Sequence, residues 1–524
     1  MVTALAVALA ALGTTRLPRP QRWMIGAAAA CAALPLLADL ALSTWYLFSP
    51  TYIDHIEASV ASITHYFMEG WPVYPGLDSY TFHGLLYGPL LPELNSLGSQ
   101  VAGGVLGTKL VGWAAAWLAV ALIPLVTPRA ERSTAWIVSV AICYCVLVPF
   151  GYTLTADRAD SLLLLFATLA LWSAVRLQRT PVQQIVGLLF IAVLAGLATD
   201  LKLHAAAYAV PAAGLWMSRH RAMPRTRLLM ALAAAGGLAV VSAILPFLPA
   251  NISAAQYLDY LKLGAKHGLS LELLTANAVF LLSLWVPAGF ALLALRKERA
   301  AVPPHTALFA GSLLVAELAV IVVAAKPGAG THHLLPFLPF HCFLLQQWLT
   351  ASPMQHAVLP ARRAALAGLA AVLIGTAWPA AATLRGMLLF DEQGAWQKAS
   401  YEELTRFAAD YPRGMVGIAG RESYRLTILR PWITLRATAQ TDYGAWMDWS
   451  LSGVSDAPLA DALQRCRIPY LYVPVGGEPF TMDNSYDARP LFSDAVREGF
   501  AHSYSLVHAG QYFNVYGCAE VTSR

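Results

Sequence analysis

Asp54, His55 and Glu57 stand just past an apolar run that ends near residue 48. A carboxylate placed there would sit at a membrane edge, partly shielded from water yet open to it. That setting suits a general base that takes a proton from a hydroxyl. Solvated loop carboxylates would read the same way, so their position alone leaves both roles open. A second set of residues has the chemistry to hold an anion: Arg158, Lys202, Lys326 and the pair His332-His333 each stand at the end of an apolar run. Phosphate recognition favours such donors where water is scarce and charge-assisted hydrogen bonds are strong. Each has a plainer reading beside it. Arg158 could pair with Asp157 or Asp160, Lys202 could snorkel beside Asp200, and the two histidines could be exposed in a loop. His55 and Glu57 could also stand near a metal. A divalent cation is compatible with the loop, but two potential ligands define no metal site.

The elements that must position these residues are membrane spans. Of the 524 residues, 57% are hydrophobic and only 12% are charged, against about 25% charged in a soluble domain. The apolar residues come in long blocks rather than amphipathic stripes. Eleven blocks are long enough to cross a bilayer, near 23–48, 105–127, 134–152, 160–177, 183–199, 203–218, 228–249, 276–295, 305–325, 333–350 and 364–384. Basic residues fix their direction. With the N-terminal stretch inside, the inner connections hold sixteen Lys and Arg, from Arg16, Arg19 and Arg22 through to Arg362 and Arg363. The outer connections before the last span hold five: Arg158, Lys202, Lys262, Lys266 and Lys326. Lys and Arg are retained on the cytoplasmic side, so everything after 384 is expected outside the cytoplasm. The expected location is a bacterial plasma membrane.

Two domains are expected. Residues 1–384 form the transmembrane part, with 49–104 as its first outer loop, and 385–524 form an extracytoplasmic α/β domain large enough to bury its own core. Within the latter, ASYEELTRFAADYP reads as a helix, MVGIAG and PYLYVPV as buried strands, and YSLVHAGQYFNVYG as a hairpin around Ala509-Gly510. Cys466 and Cys518 are the two cysteines of that domain, where a disulfide can persist. Cys31, Cys143, Cys145 and Cys342 lie in spans and read as small core residues. Charges inside spans are usually functional or paired; Asp39, Glu317 and His341 are such charges. Asp39 reads as an interhelical hydrogen-bonding group.

The first outer loop carries a chain of motifs: Asp54-His55-Ile56-Glu57, then Gly70-Trp71-Pro72-Val73-Tyr74-Pro75, then Tyr87-Gly88-Pro89-Leu90. Arg158-Ala159-Asp160 opens the fourth span, and Thr199-Asp200-Leu201-Lys202 closes the fifth. This arrangement resembles the GT-C superfamily of membrane glycosyltransferases over roughly residues 23–350. The likeness is greatest to the polyprenyl-phosphate-sugar-dependent group, which includes protein mannosyltransferases and lipid A aminoarabinose transferases. His55 departs from the pattern, since many members carry Glu directly after the Asp.

The resemblance implies an enzyme that moves a hexose or pentose from a polyprenyl-phosphate donor to a hydroxyl of a glycan, lipid or protein, with inversion. It implies Asp54 and Glu57 as catalytic carboxylates. It implies substrate contacts for His55, Tyr74, Tyr87, Arg158, Asp160, Lys202, Lys326, His332 and His333. It implies no definite cofactor beyond the divalent cation compatible with the loop, and no nucleic acid is expected as a partner. The alternative is a transporter or flippase for a lipid-linked or amphipathic solute. Such a protein would carry charges near mid-membrane and broken helices in two matching halves, whereas the carboxylates here gather in one loop. The orientation is directly testable. A reporter fused at Asp391 is expected to be active only outside the cytoplasm, and activity confined to the cytoplasm would overturn the charge argument.

Overall fold

The computed structural model describes residues 19–81, 86–129, 134–297, 304–351, 378–388, 391–420, 439–440 and 443–519. It forms two compact units, each built from interleaved segments. The first comprises Met1–Leu47, Gly112–Leu245 and Leu269–Leu388; the second comprises Phe48–Val111, Pro246–Gly268 and Leu389–Arg524. The second unit thus gathers the first loop and a shorter later loop around the C-terminal segment.

The first unit is helical. Among the described residues seven helices of the chain are long and apolar enough to cross a membrane: Gly104–Leu125, Ala135–Thr155, Ala159–Arg176, Pro181–Thr199, Arg225–Phe247, Leu271–Leu293 and His305–Val323. All seven fall on expected spans, and a helix Arg19–Leu47 covers the first expected run. Two further runs are not continuous α-helices. The run expected at 203–218 opens as a 3-10 helix, Leu203–Ala209, before Val210–Arg219 turns α-helical. The run expected at 333–350 opens as Thr331–Phe337 in the same tight form before Leu338–Ala351. Prolines mark both breaks: Pro211 sits in the first turn of its α-helix, and Pro336 lies within the 3-10 stretch. Proline lacks the N–H an α-helix interior needs but fits its start. The run expected at 364–384 lies largely outside the described residues.

Lipid tails are as apolar as leucine, so helices in a bilayer associate through close packing of small residues. Gly196 shows this. A Cβ there would collide with the Ala239 carbonyl oxygen, so the helices Pro181–Thr199 and Arg225–Ile244 touch backbone to backbone.

The second unit is built on a mixed sheet of strands β1 (Met415–Val416), β2 (Ala439–Gln440), β3 (Tyr470–Pro474), β4 (Tyr504–Ala509) and β5 (Phe513–Cys518), in the order β2-β1-β3-β5-β4. β1 runs parallel to β2 and β3, while β5 runs antiparallel to β3 and β4. The expected strands and hairpin are all present, though the MVGIAG stretch pairs as a strand only at its start. Side chains of a strand alternate between faces. Accordingly Leu471 and Val473 of β3 enter one core, with Trp446, Leu459 and Phe500, while Tyr472 enters another, with Leu404, Phe407 and Phe513. Leu404 and Phe407 come from the helix Asp391–Asp410, which covers that second face. Glu403 on this helix accepts the backbone N–H groups of Gln511, Tyr512 and Phe513 at 2.9, 2.8 and 2.8 Å, which fixes the β4–β5 turn.

The first core also takes in Ile63, Val73 and Tyr74 from the first loop and Ile252, Tyr257 and Tyr260 from the later one. Cys466, just beyond the helix Ala457–Gln464, is bonded to Cys518 at the end of β5, with their Cα atoms 5.8 Å apart. Mass spectrometry of membrane-extracted protein is expected to show this disulfide. Cys518→Ser should lower stability by about 2–5 kcal/mol, and an unchanged denaturation midpoint would contradict a structural role.

Candidate active site

Asp54 is the N-cap of the helix His55–Met68. Its Oδ1 accepts the N–H of Ile56 at 3.3 Å, and Glu57 answers with Oε2 accepting the N–H groups of Asp54 at 3.3 Å and Ile53 at 3.2 Å. This is a capping box, in which two carboxylates satisfy the backbone donors that a helix start leaves over. Both carboxylates are buried, Glu57 completely. The loop before them is held by a residue that the sequence reading passed over. Lys109, fully buried near the start of the helix Gly104–Leu122, donates to the carbonyls of Ser49 at 3.0 Å and Thr51 at 2.5 Å. The signal was available, because Lys109 is the one charge in the run 105–127. The side chain of His55 lies outside the described residues.

The next motif turns out to be a stitched corner. Gly70, at a φ of 72°, takes the left-handed conformation that ends the helix His55–Met68. Asn251 Nδ2 bonds the Phe67 and Trp71 carbonyls, both at 3.1 Å, and the Val73 N–H bonds the Asn251 carbonyl at 3.1 Å. Tyr74 is buried; its hydroxyl donates to the Tyr87 carbonyl at 2.8 Å, and its ring centre lies 5.0 Å from that of Tyr257. Tyr74, Tyr87 and Gly88 line a small apolar cavity with Val60, Ile63, Leu91 and Pro92. The motif residues therefore shape the loop and one small hollow in it.

In the first unit a separate cluster forms where helical segments end. Lys202, just past the helix Pro181–Thr199, donates to Asp160 Oδ1 at 2.7 Å, and both are buried. Lys202 thus pairs with Asp160, 42 residues away in the chain. Arg158, the N-cap residue of the helix Ala159–Arg176, acts on the same Asp160, as does His332. Its guanidinium lies 6.0 Å from the Tyr152 ring centre. Burial pushes the Lys202 ammonium below its usual range, and the charge and hydrogen bond of Asp160 oppose that shift. Burial likewise pushes His332 down to about 4, against the pull of Asp160 and with the repulsion of Lys202 and Arg158. His332 is therefore neutral near pH 7 and offers hydrogen bonds rather than charge.

His333 and His332 have ring centres 4.6 Å apart. His333 Nδ1 lies 3.1 Å from Nε2 of His204, and the Tyr208 hydroxyl donates to the His333 carbonyl at 2.9 Å. His204 and Tyr208 were not singled out in the sequence, although His204 stands two residues from Lys202. Lys326 lies half-buried in the turn after the helix Pro304–Val323. The remaining intramembrane charges divide. Glu317 accepts from Trp285 Nε1 at 2.7 Å and lies 2.5 Å from His341 Nε2, a paired arrangement. Asp39 instead packs against Gly151, and its Oδ1 has no hydrogen-bond partner among the described residues. Among the described residues no three His, Cys, Asp or Glu side chains come together in a way that could hold a metal ion.

Spans, loop motifs and mixed sheet together define a polytopic α-helical membrane protein with a small mixed sheet. Solved structures with this fold include ArnT from Cupriavidus metallidurans bound to undecaprenyl phosphate, at a TM-score of 0.56 and 12% identity, covering 93% of this chain and 98% of that one. The apo state of the same protein matches at a TM-score of 0.57 and 12% identity, covering 94% and 98%. The likeness is one of fold. No family model matches the chain, and no curated protein matches it.

The Asp160–Lys202 pair carries a testable energy. Removing one partner of a buried ion pair leaves the other uncompensated, at a cost of about 3–5 kcal/mol. Lys202→Met alone should show such a loss in denaturation of the detergent-solubilised protein. Lys202→Met combined with Asp160→Leu should recover most of it. Equal losses in the single and double variants would show that the two charges do not depend on each other.

Proposed function

We propose that this protein is a membrane glycosyltransferase that moves a sugar from a polyprenyl-phosphate donor to a hydroxyl acceptor on the outer face of the membrane, with inversion. The observation that carries this reading is the fold, shared over 93% of the chain with a protein solved with undecaprenyl phosphate bound. One role is assigned in each unit. Asp54 takes the proton as the acceptor oxygen attacks the anomeric carbon. The bond from that carbon to the phosphate oxygen breaks, and polyprenyl phosphate leaves with its electron pair. Lys202 and Arg158, with the imidazoles of His332 and His333, receive that phosphate; donors preorganised where negative charge develops are usually the largest contribution to such catalysis. Glu57 serves by holding the cap, given its two backbone bonds. Tyr74 and Tyr87 shape the loop around the acceptor.

The test is transfer from a panel of undecaprenyl-phosphate sugars in proteoliposomes. Asp54→Asn keeps the capping geometry and removes the basicity, so transfer should fall by about two to four orders of magnitude with folding intact. If Asp54→Asn transfers at the wild-type rate while Glu57→Gln does not, the base is Glu57. If neither change matters, the glycosyltransferase reading fails.

A further inference from the structure

The knot around Asp54 holds one ammonium and two carboxylates. Lys109 bonds the carbonyls of Ser49 and Thr51. Tyr52, the next residue, is fully buried; its ring centre lies 5.2 Å from the Lys109 ammonium, and its hydroxyl meets Thr108 Oγ1 at 2.8 Å. Ile53 and Asp54 give their N–H groups to Glu57. The ammonium and the two carboxylates are thus tied into one short segment, 49–57, and all three are out of water. An ion taken out of water is strongly disfavoured unless an opposite charge accompanies it. Carboxylates that share one capping box disfavour each other's ionisation, and a cation bound to the same buried segment favours it.

Glu93, on the helix Leu90–Ala102 that packs against His55–Met68, is half-buried, and burial pushes its carboxyl up to about 7. Gln397 on the helix Asp391–Asp410 contributes a neutral amide, bonded to the Tyr52 carbonyl at 3.3 Å. The side chain of His55 lies outside the described residues.

We propose that Lys109 is the positioning residue for Asp54: it clamps the loop by the Ser49 and Thr51 carbonyls and supplies the positive charge that keeps the paired carboxylates ionised at neutral pH. The value of this to the reaction rests on the reading of Asp54 as the base. The physical content does not, and it can be measured without any sugar donor.

Dicyclohexylcarbodiimide adds to carboxyl groups that are protonated and in apolar surroundings. Membranes containing the full chain would be treated with it across a pH series, and modification of Asp54 followed by peptide mass spectrometry. Lys109→Gln keeps hydrogen-bond donors but loses the charge. Asp54 should then be modified about tenfold faster at neutral pH, equivalent to about one pH unit. Lys109→Arg, which restores the charge, should return the wild-type rate. A merely structural lysine would not separate these two variants by charge. Wild-type kinetics in Lys109→Gln, including no modification at all, overturns the proposal.

Should Lys109→Gln not fold, Glu57→Gln decides, since glutamine still serves a capping box. With one carboxylate fewer for the same cation, Asp54 should be modified only at lower pH; an unchanged pH dependence again overturns the proposal. Sugar transfer is scored separately. If modification shifts in Lys109→Gln while transfer does not, Lys109 positions a carboxylate that is not the base, and it is the assignment of Asp54 that falls.

Discussion

A charge withdrawn from water at a membrane edge must meet its opposite, and the contact between Lys202 and Asp160 meets that demand for the first unit. Removing each ion from water costs several kcal/mol even after relaxation. The 2.7 Å bond offsets that cost and fixes the turn after the helix Pro181–Thr199 against the start of Ala159–Arg176. The rest of the cluster depends on that junction. The chain continues from Lys202 straight into the 3-10 helix carrying His204 and Tyr208, and these reach His333 through its ring and its carbonyl. Arg158 comes from the residue that opens the other helix. A site rich in donors is thus assembled where helices begin and end, because there the backbone leaves the regular pattern and side chains can converge.

The second unit solves the same problem with different parts. Its buried carboxylates are engaged by backbone N–H groups of a capping box, and its buried ammonium by backbone carbonyls. Each bond runs between a side chain and the backbone of segment 49–57 or its flank, so the geometry of Asp54 is set by the path of the chain. The corner at 70–75 extends this economy. Asn251 holds three backbone groups there, and Tyr260 donates to the Pro75 carbonyl at 3.1 Å. A loop of this length would otherwise be mobile; here it is part of a core.

Much of this was legible in the sequence, and the failures have physical causes. Hydropathy blocks locate spans because a bilayer demands long apolar runs, and the unbroken apolar and aromatic run PYLYVPV locates β3 because both faces of that strand enter cores. Average hydropathy hides single charges, which is how Lys109 passed inside the run 105–127. The 3-10 openings at Leu203–Ala209 and Thr331–Phe337 were missed because proline marks a boundary without specifying the turn on its far side. The pairing of Lys202 with Asp160, 42 residues away, had no counterpart in the sequence, where the plainer reading set Lys202 beside Asp200. Local spacing carries no information about that contact, which exists only once two helices have packed. The pairing of Cys466 with Cys518 was legible for the opposite reason, since no other cysteine falls in 385–524.

The central claim is that the Lys202 cluster is a phosphate site for a lipid-linked donor. Its most direct test is an electron-microscopy structure of the full chain in nanodiscs containing undecaprenyl phosphate. The phosphate is expected within hydrogen-bond reach of Lys202 or Arg158, with His332 or His333 beside it. A well-resolved lipid phosphate held elsewhere on the protein, with the Asp160–Lys202 cluster unchanged and empty, would contradict it.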